Sequence, residues 1–246
     1  MFPALYAILD PALIKDPLAE FAAQLSEAGV ELMQLRHKRA TPRQLFSESQ
    51  ESVNWSRSLG GRSFSSDKTV TPPLGALAPE VRIIVNDRPD IAAMIGAGGV
   101  HVGQEDLPVE AARAICGSGC WVGISTHNLA QLREANQTSA DYIAVGPIFP
   151  TATKENPDPV VGIDFLRLAR QETRKPLVAI GGITIQSAAE VFRAGADSVA
   201  VIGDLLPEDG DIARRVKDWL RVTERIALLP RDQGHTPPGH GTSGPG

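Results

Sequence analysis

Four polar clusters between residues 85 and 154 each close an apolar, β-branched run. They read Val85-Asn-Asp-Arg88, Gly103-Gln-Glu-Asp-Leu-Pro108, Gly123-Ile-Ser-Thr-His127 and Gly146-Pro-Ile-Phe-Pro-Thr-Ala-Thr-Lys154. A fifth, Gln34-Leu-Arg-His-Lys38, ends an earlier run in the same way. Residues at the carboxyl ends of successive parallel strands meet at one face of an α/β barrel, the face where such barrels do chemistry. One mouth would then gather cations, carboxylates and small hydroxyls, an inventory suited to a metal-bound pyrophosphate.

Along an extended chain Gln34, Arg36 and Lys38 share one side while Leu35 and His37 point away. Arginine offers a planar fork to phosphate oxygens and lysine a compact charge, so the pair suits a polyanion; the alternative is a solvated, charged strand end. Asn86, Asp87 and Asp106 follow neighbouring runs, and two carboxylates from adjacent loops can share a magnesium ion, which takes few protein ligands. Both aspartates also fit as helix caps, ahead of Pro89 and Pro108. Ser125 can donate to an anion, and no Asp or His partner is arranged by sequence to make it a nucleophile. His127 reads either as a general acid or base or as a polar loop residue, and His101, inside a run, as barrel packing. Thr151, Ala152, Thr153 and Lys154 offer hydroxyls, backbone donors and an ammonium to a phosphate. Gly182, Ile202 and Gly203 add backbone N–H groups after the last two runs, where many barrels bind phosphate.

Eight short runs must carry these clusters: 4–9, 30–35, 81–85, 99–102, 121–124, 142–145, 177–180 and 198–202. Between them the apolar spacing turns helical over 17–28, 42–59, 89–97, 109–116, 129–136, 163–171, 185–194 and 212–228. Asp16 before Pro17, Thr41 before Pro42 and Asp87 ahead of Pro89 read as helix starts. Gly29, Gly96 and Gly195 read as helix ends that turn into the next strand. The alternation predicts parallel strands with right-handed crossovers, hence a single-domain (β/α)8 TIM barrel over 1–229. Residues 60–79, rich in Gly, Ser, Thr and Pro, read as a flexible insertion on the side opposite the mouth, and 230–246 as a disordered tail.

Apolar residues make up 42% of the 246, enough for a sizeable core. A net charge of −5 without a long basic run argues against a nucleic-acid or membrane surface and for small anionic partners bound by local cations. The first ten residues lack a basic stretch and a small-residue cleavage pattern, and no run reaches membrane-spanning length. With only Cys116 and Cys120, read as plain buried thiols, a cytoplasmic, reduced setting is expected.

Taken in order, Tyr6-Ala-Ile-Leu-Asp10, the Gln34 to Lys38 cluster, the four clusters between residues 85 and 154, and Ala179-Ile-Gly-Gly-Ile183 resemble thiamine phosphate synthase over roughly residues 6–205. The resemblance implies a transferase that couples 4-amino-2-methyl-5-pyrimidinylmethyl diphosphate to a thiazole phosphate and releases pyrophosphate. It implies that Gln34, Arg36, Lys38, Asn86, Ser125 and Lys154 bind the diphosphate substrate, with Arg36, Lys38, Ser125 and Lys154 in the catalytic role. Asp87 and Asp106 would hold one Mg²⁺ per subunit. Thr151, Ala152, Thr153, Gly182, Ile202 and Gly203 would take the thiazole phosphate, and a homo-oligomer is compatible with the family. His37 stands where an acidic residue is common, and Gly203 where a serine is common. A thiazole tautomerase on a similar barrel, a non-catalytic sensor of thiamine intermediates, and other phosphate-binding barrel isomerases are the alternatives.

Overall fold

A computed structural model describes residues 2–59, 81–151 and 158–227. The β-branched runs become β1 (Leu5–Leu9), β2 (Leu32–Leu35), β3 (Arg82–Asn86), β4 (Gly99–Val102), β5 (Trp121–Thr126), β6 (Tyr142–Val145), β7 (Leu177–Ile180) and β8 (Ser198–Val201). Helices follow each strand in turn: α1 (Leu18–Glu27), α2 (Pro42–Leu59), α3 (Pro89–Ile95), α4 (Val109–Cys116), α5 (Leu129–Gln137), α6 (Gly162–Glu172), α7 (Ala188–Arg193) and α8 (Ile212–Ala227). All neighbouring strands pair parallel, and β8 returns to β1 through Tyr6 opposite Ala200, so the sheet closes into the expected barrel. Insertion 60–79 and tail 230–246 lie outside the described residues. None of the described helices is long and apolar enough to cross a membrane.

Strands buried on both faces must be apolar on both, which is why the runs read as continuous rather than alternating. In β1, Tyr6 and Ile8 join Leu32, Ile84, Tyr142, Ala144, Val178 and Ala200 inside the barrel. Leu5, Ala7 and Leu9 face outward, into the larger core shared with helix residues such as Phe21, Leu25, Leu132 and Trp219.

Some termini depart from expectation. Thr41 does cap α2, its hydroxyl accepting the Gln44 N–H at 3.2 Å. Asp16 does not cap α1, because Pro17 itself takes the capping position and leaves Asp16 one residue too far out. Asp87 does not cap α3 for the same reason: Arg88 intervenes, and the Asp87 carboxylate turns to Lys38. Helix α7 begins at Ala188 rather than 185, after a turn in which the Ser187 hydroxyl accepts the Thr184 N–H. Strand β5 runs on to Thr126, so Ser125 sits in the strand.

Gly123 is the position where the barrel's interior space is set. It lies opposite His101 on one side and Tyr142 on the other. A Cβ there would come within 2.0 Å of the Tyr142 ring, so the phenol crosses the strand only because position 123 has no side chain. Gly123→Ala is expected to cost about 1–3 kcal/mol by overpacking, lowering the thermal midpoint by roughly 2–12 °C. Gly119→Ala, with open space around the added methyl, is expected to stay within about 0.5 kcal/mol. Thermal unfolding of the two variants side by side tests this.

Candidate active site

At the carboxyl end of β2 the alternation holds beyond the strand. The Arg36 N–H bonds to the Leu9 carbonyl at 2.9 Å, keeping the chain extended. Gln34 is buried, and its Nε2 donates to the Tyr6 hydroxyl at 2.9 Å. Arg36 is held by Asp10, a buried carboxylate at the end of β1 that also accepts the Ala12 N–H at 3.0 Å. Lys38 pairs with Asp87. His37 points away, as expected, to Glu48 on α2 at 2.8 Å. The cations therefore do not stand free: each has a carboxylate partner, and Asp10 is one the sequence reading left without a role.

Asp87 adopts a left-handed backbone, φ 61°, a conformation aspartate tolerates better than most residues. Its N–H donates to the His101 carbonyl at 2.7 Å, tying the β3 loop to β4. Asp106 accepts the Gly103 N–H at 2.7 Å, and the Asp87 carboxylate is near enough to act on its charge. Burial first, and then the neighbouring Asp87, push the Asp106 carboxyl above its usual range, against the Gly103 N–H and Lys38, which lower it. Two adjacent carboxylates with an excess of negative charge suit a divalent cation. No group of three or more His, Cys, Asp or Glu side chains gathers among the described residues. Magnesium, which commonly takes one or two carboxylates and fills its shell with water and phosphate oxygens, needs no such group. The residues present fit it. Asn86, next to this pair, is 9% exposed at the end of β3.

Ser125 has the histidine partner that its sequence surroundings did not reveal. His101 Nε2 lies 2.8 Å from its Oγ, and the other ring nitrogen lies 3.0 Å from the Tyr142 hydroxyl. Tyr142 in turn meets the Tyr6 hydroxyl at 3.0 Å. His101 is thus more than packing. Burial drives its imidazole down to about 4, with Asp106 opposing and Lys38 reinforcing the shift, so the ring is neutral. Burial likewise raises both phenols. Only long-range register brings these groups together; a barrel-facing tyrosine in a sequence reads as packing. His127 sits on the next loop, where its Nδ1 donates to the Gly146 carbonyl at 2.6 Å and its N–H is accepted by Gln131 at 2.7 Å. It joins the β5 and β6 loops.

Across the mouth the donors are backbone. Gly181 and Gly182 have φ 98° and 62°, and a Cβ on Gly182 would meet the Pro150 carbonyl at 2.4 Å, so the β7 loop lies directly against the segment leading to Thr151. The Ile185 N–H reaches Asp204 at 3.2 Å, binding the β7 loop to the Ile202 and Gly203 turn after β8. Gly203 is exposed and open space surrounds it, so the missing serine hydroxyl is not excluded by crowding. Ala152, Thr153 and Lys154 lie outside the described residues. Cys120 is buried and Cys116 half-buried, and burial pushes the Cys120 thiol up to about 12, in keeping with plain thiols.

Residues 75–205 match a family model described as thiamine monophosphate synthase. A thiamine-phosphate synthase of Koribacter versatilis is 44% identical over 225 residues, covering 89% of this chain and 95% of the relative. One from Chloroflexus aurantiacus is 39% identical over 203 residues, covering 81% and 84%. Among solved structures, a thiamine phosphate pyrophosphorylase from Pyrococcus furiosus superposes with a TM-score of 0.74 at 28% identity, over 91% of this chain and 96% of that one.

The carboxylate pair makes a stability prediction. In the absence of divalent cations Asp106→Asn removes the repulsion while keeping an acceptor for Gly103, and is expected to raise stability by up to about 1 kcal/mol, or about 2–4 °C in thermal midpoint. Magnesium should raise the midpoint of the wild-type protein but not that of the variant. Thermal melts with and without the ion check both.

His101 makes a pH prediction. Its ring titrates near 6.5 when unfolded and about 4 when folded. Between these values the unfolded chain takes up a proton that the folded one refuses, so the contribution is complete above about 6.5 and is lost as pH falls toward 4. Urea midpoints measured across that window should fall more steeply for the wild-type protein than for His101→Gln.

Proposed function

Because the chain belongs to the thiamine monophosphate synthase family, we propose that its barrel mouth joins 4-amino-2-methyl-5-pyrimidinylmethyl diphosphate to a thiazole phosphate. The products are thiamine phosphate and pyrophosphate. The observation that carries this reading is the arrangement of Arg36, Lys38, Asp87, Asp106 and Ser125 around one mouth, with Gln34 buried two residues inward of Arg36 and the two carboxylates facing each other. A tautomerase acting on the thiazole phosphate alone would have no use for a diphosphate clamp.

In the reaction the bond between the methylene carbon and the diphosphate oxygen breaks, and its electron pair leaves with pyrophosphate. The aminopyrimidine ring delocalises the positive charge left on carbon, and the thiazole nitrogen then supplies the pair for the new C–N bond. No protein nucleophile is needed. Arg36, Lys38, Ser125 and Lys154 stabilise the charge that accumulates on the leaving group, an electrostatic contribution realised mainly in the transition state. Asp87 and Asp106 would hold one Mg²⁺ per subunit, which when bound neutralises diphosphate charge and helps orient it. Asn86 lines the same end. Thr151, Ala152, Thr153, Gly182, Ile202 and Gly203 hold the thiazole phosphate, largely by backbone N–H groups, so that the ring nitrogen faces the reacting carbon.

Arg36 and Lys38 contribute differently. Asp10 fixes Arg36, whose side chain is 19% exposed, whereas Lys38 is 50% exposed and its pair with Asp87 is easily exchanged for a diphosphate. Purified protein incubated with both substrates and magnesium is expected to form thiamine phosphate, detected by mass, and to form none when either substrate is omitted. Arg36→Ala and Lys38→Ala should each lower kcat by about 10²–10³-fold, by analogy with removing an oxyanion donor. Lack of product from folded wild-type protein supplied with both substrates would refute the assignment.

A further inference from the structure

Five polar side chains from five different strands form an unbroken row across the barrel interior. Gln34 on β2 touches Tyr6 on β1 at 2.9 Å, Tyr6 touches Tyr142 on β6 at 3.0 Å, Tyr142 touches His101 on β4 at 3.0 Å, and His101 touches Ser125 on β5 at 2.8 Å. The first four are at most 7% exposed. Ser125 alone is partly open, at the mouth.

A serine oxygen 2.8 Å from an imidazole nitrogen is the geometry of an activated nucleophile. Whether it works as one depends on which way the protons point. Each phenol and the serine hydroxyl has one proton to donate, and a neutral imidazole has one N–H. The row can therefore run in only two unbroken directions. If Ser125 donates to His101, the ring carries its proton on Nδ1, and the row ends on the Gln34 carbonyl oxygen. If Gln34 donates, every bond reverses: Tyr6 donates to Tyr142, Tyr142 to His101 Nδ1, and His101 Nε2–H to Ser125. The Gln34 amide nitrogen lies 2.9 Å from the Tyr6 oxygen, as the second direction requires. The serine proton is then unused within the protein and is left for the mouth. An anion there accepts only, so it demands the same direction from the other end.

We propose that Gln34, Tyr6, Tyr142 and His101 form a one-way hydrogen-bond relay that fixes the Ser125 hydroxyl as a donor to the departing diphosphate. Tyr6, Tyr142 and His101 are then positioning residues of the reaction, and His101 cannot serve as a base toward Ser125. The relay rests on the reading above in placing a diphosphate at Ser125. Its internal direction can be measured without any substrate. No covalent step passes through the row; it orients one donor in advance, and hydrogen bonds in series strengthen one another in a low-dielectric interior.

The test is nitrogen NMR of the full-length protein labelled at histidine, with His101→Gln identifying the His101 signal. The expected result is a ring protonated only at Nε2. A ring protonated at Nδ1, or an even mixture, overturns the relay. Tyr142→Phe keeps the ring but removes the proton donated to Nδ1, so it should release the tautomer into a mixture and lower kcat by about tenfold, the effect of one hydrogen bond. KM for the pyrimidine diphosphate should move less than kcat. In a Ser125→Ala background the same Tyr142→Phe change should cost nothing further, because the relay then ends on no hydroxyl. Independent, multiplying losses would show that Tyr142 acts by packing alone and would overturn the relay. His101→Gln, whose amide N–H can overlie Nε2–H, should retain more activity than His101→Ala; equal loss counts against the relay. Failure of the activity itself would show separately, as wild-type protein with the Nε2 tautomer and no thiamine phosphate formed.

Discussion

A polar group left without a partner inside a closed barrel costs about 1–3 kcal/mol, and the upper half of this barrel is crowded with polar groups. The molecule meets that constraint by pairing them. Gln34, Tyr6, Tyr142, His101 and Ser125 satisfy one another in series, Arg36 meets Asp10, and Asp106 accepts a backbone N–H. Among the described residues, the buried side-chain oxygens without a partner belong to Ser49 and Ser198, on α2 and at the amino end of β8, away from the mouth. Stability and site geometry thus depend on the same contacts. Removing one member would leave another buried and unpaired, which costs more than the net worth of the bond itself.

The pairing has a gradient that matters for chemistry. At the interior end the partners are almost wholly buried and their protons are fixed. At the rim, Lys38 is half exposed, and its ion pair contributes about 0–1 kcal/mol. On the proposed reading an arriving diphosphate takes Lys38 from Asp87 at little cost, while Arg36 keeps its orientation from Asp10. Once Lys38 moves to the anion, Asp87 and Asp106 lose the cation that offsets their charge, and the carboxylate pair becomes a stronger site for a divalent ion.

The barrel itself was legible because its signals are local. Runs of β-branched residues, helical spacing between them, and glycines such as Gly29 and Gly195 at the strand entries all act within a few residues, and the eight strands follow from them. The same-side placement of Gln34, Arg36 and Lys38 was legible too, since alternation is a property of extended backbone. The partners were not. Arg36 and Asp10 are 26 residues apart in the chain, and Tyr6 and Tyr142 are 136 apart. Nothing in the residues around Ser125 signals that His101 lies beside it, because that contact depends on two intervals: the β4–β5 register and the space that Gly123 leaves for Tyr142. At Asp16 and Asp87 the capping signal misled for a smaller reason, a single residue's offset, whereas at Thr41 it held.

On the proposed reading the mouth divides its work between two kinds of donor, and the division follows from what each substrate end requires. The diphosphate must lose its bond to carbon, so the groups facing it need charge and direction, which side chains on β2 to β5 provide. The thiazole phosphate would only be held, and backbone N–H groups after β6, β7 and β8 would suffice for that. Glycine lets backbone segments approach closely, and the Gly182 turn lies against the Pro150 carbonyl in a geometry that a Cβ would forbid. Gly203 differs, since a side chain would fit there. Its phosphate contact can come from the peptide N–H without help from a hydroxyl, which makes the substitution from serine compatible with the same reaction.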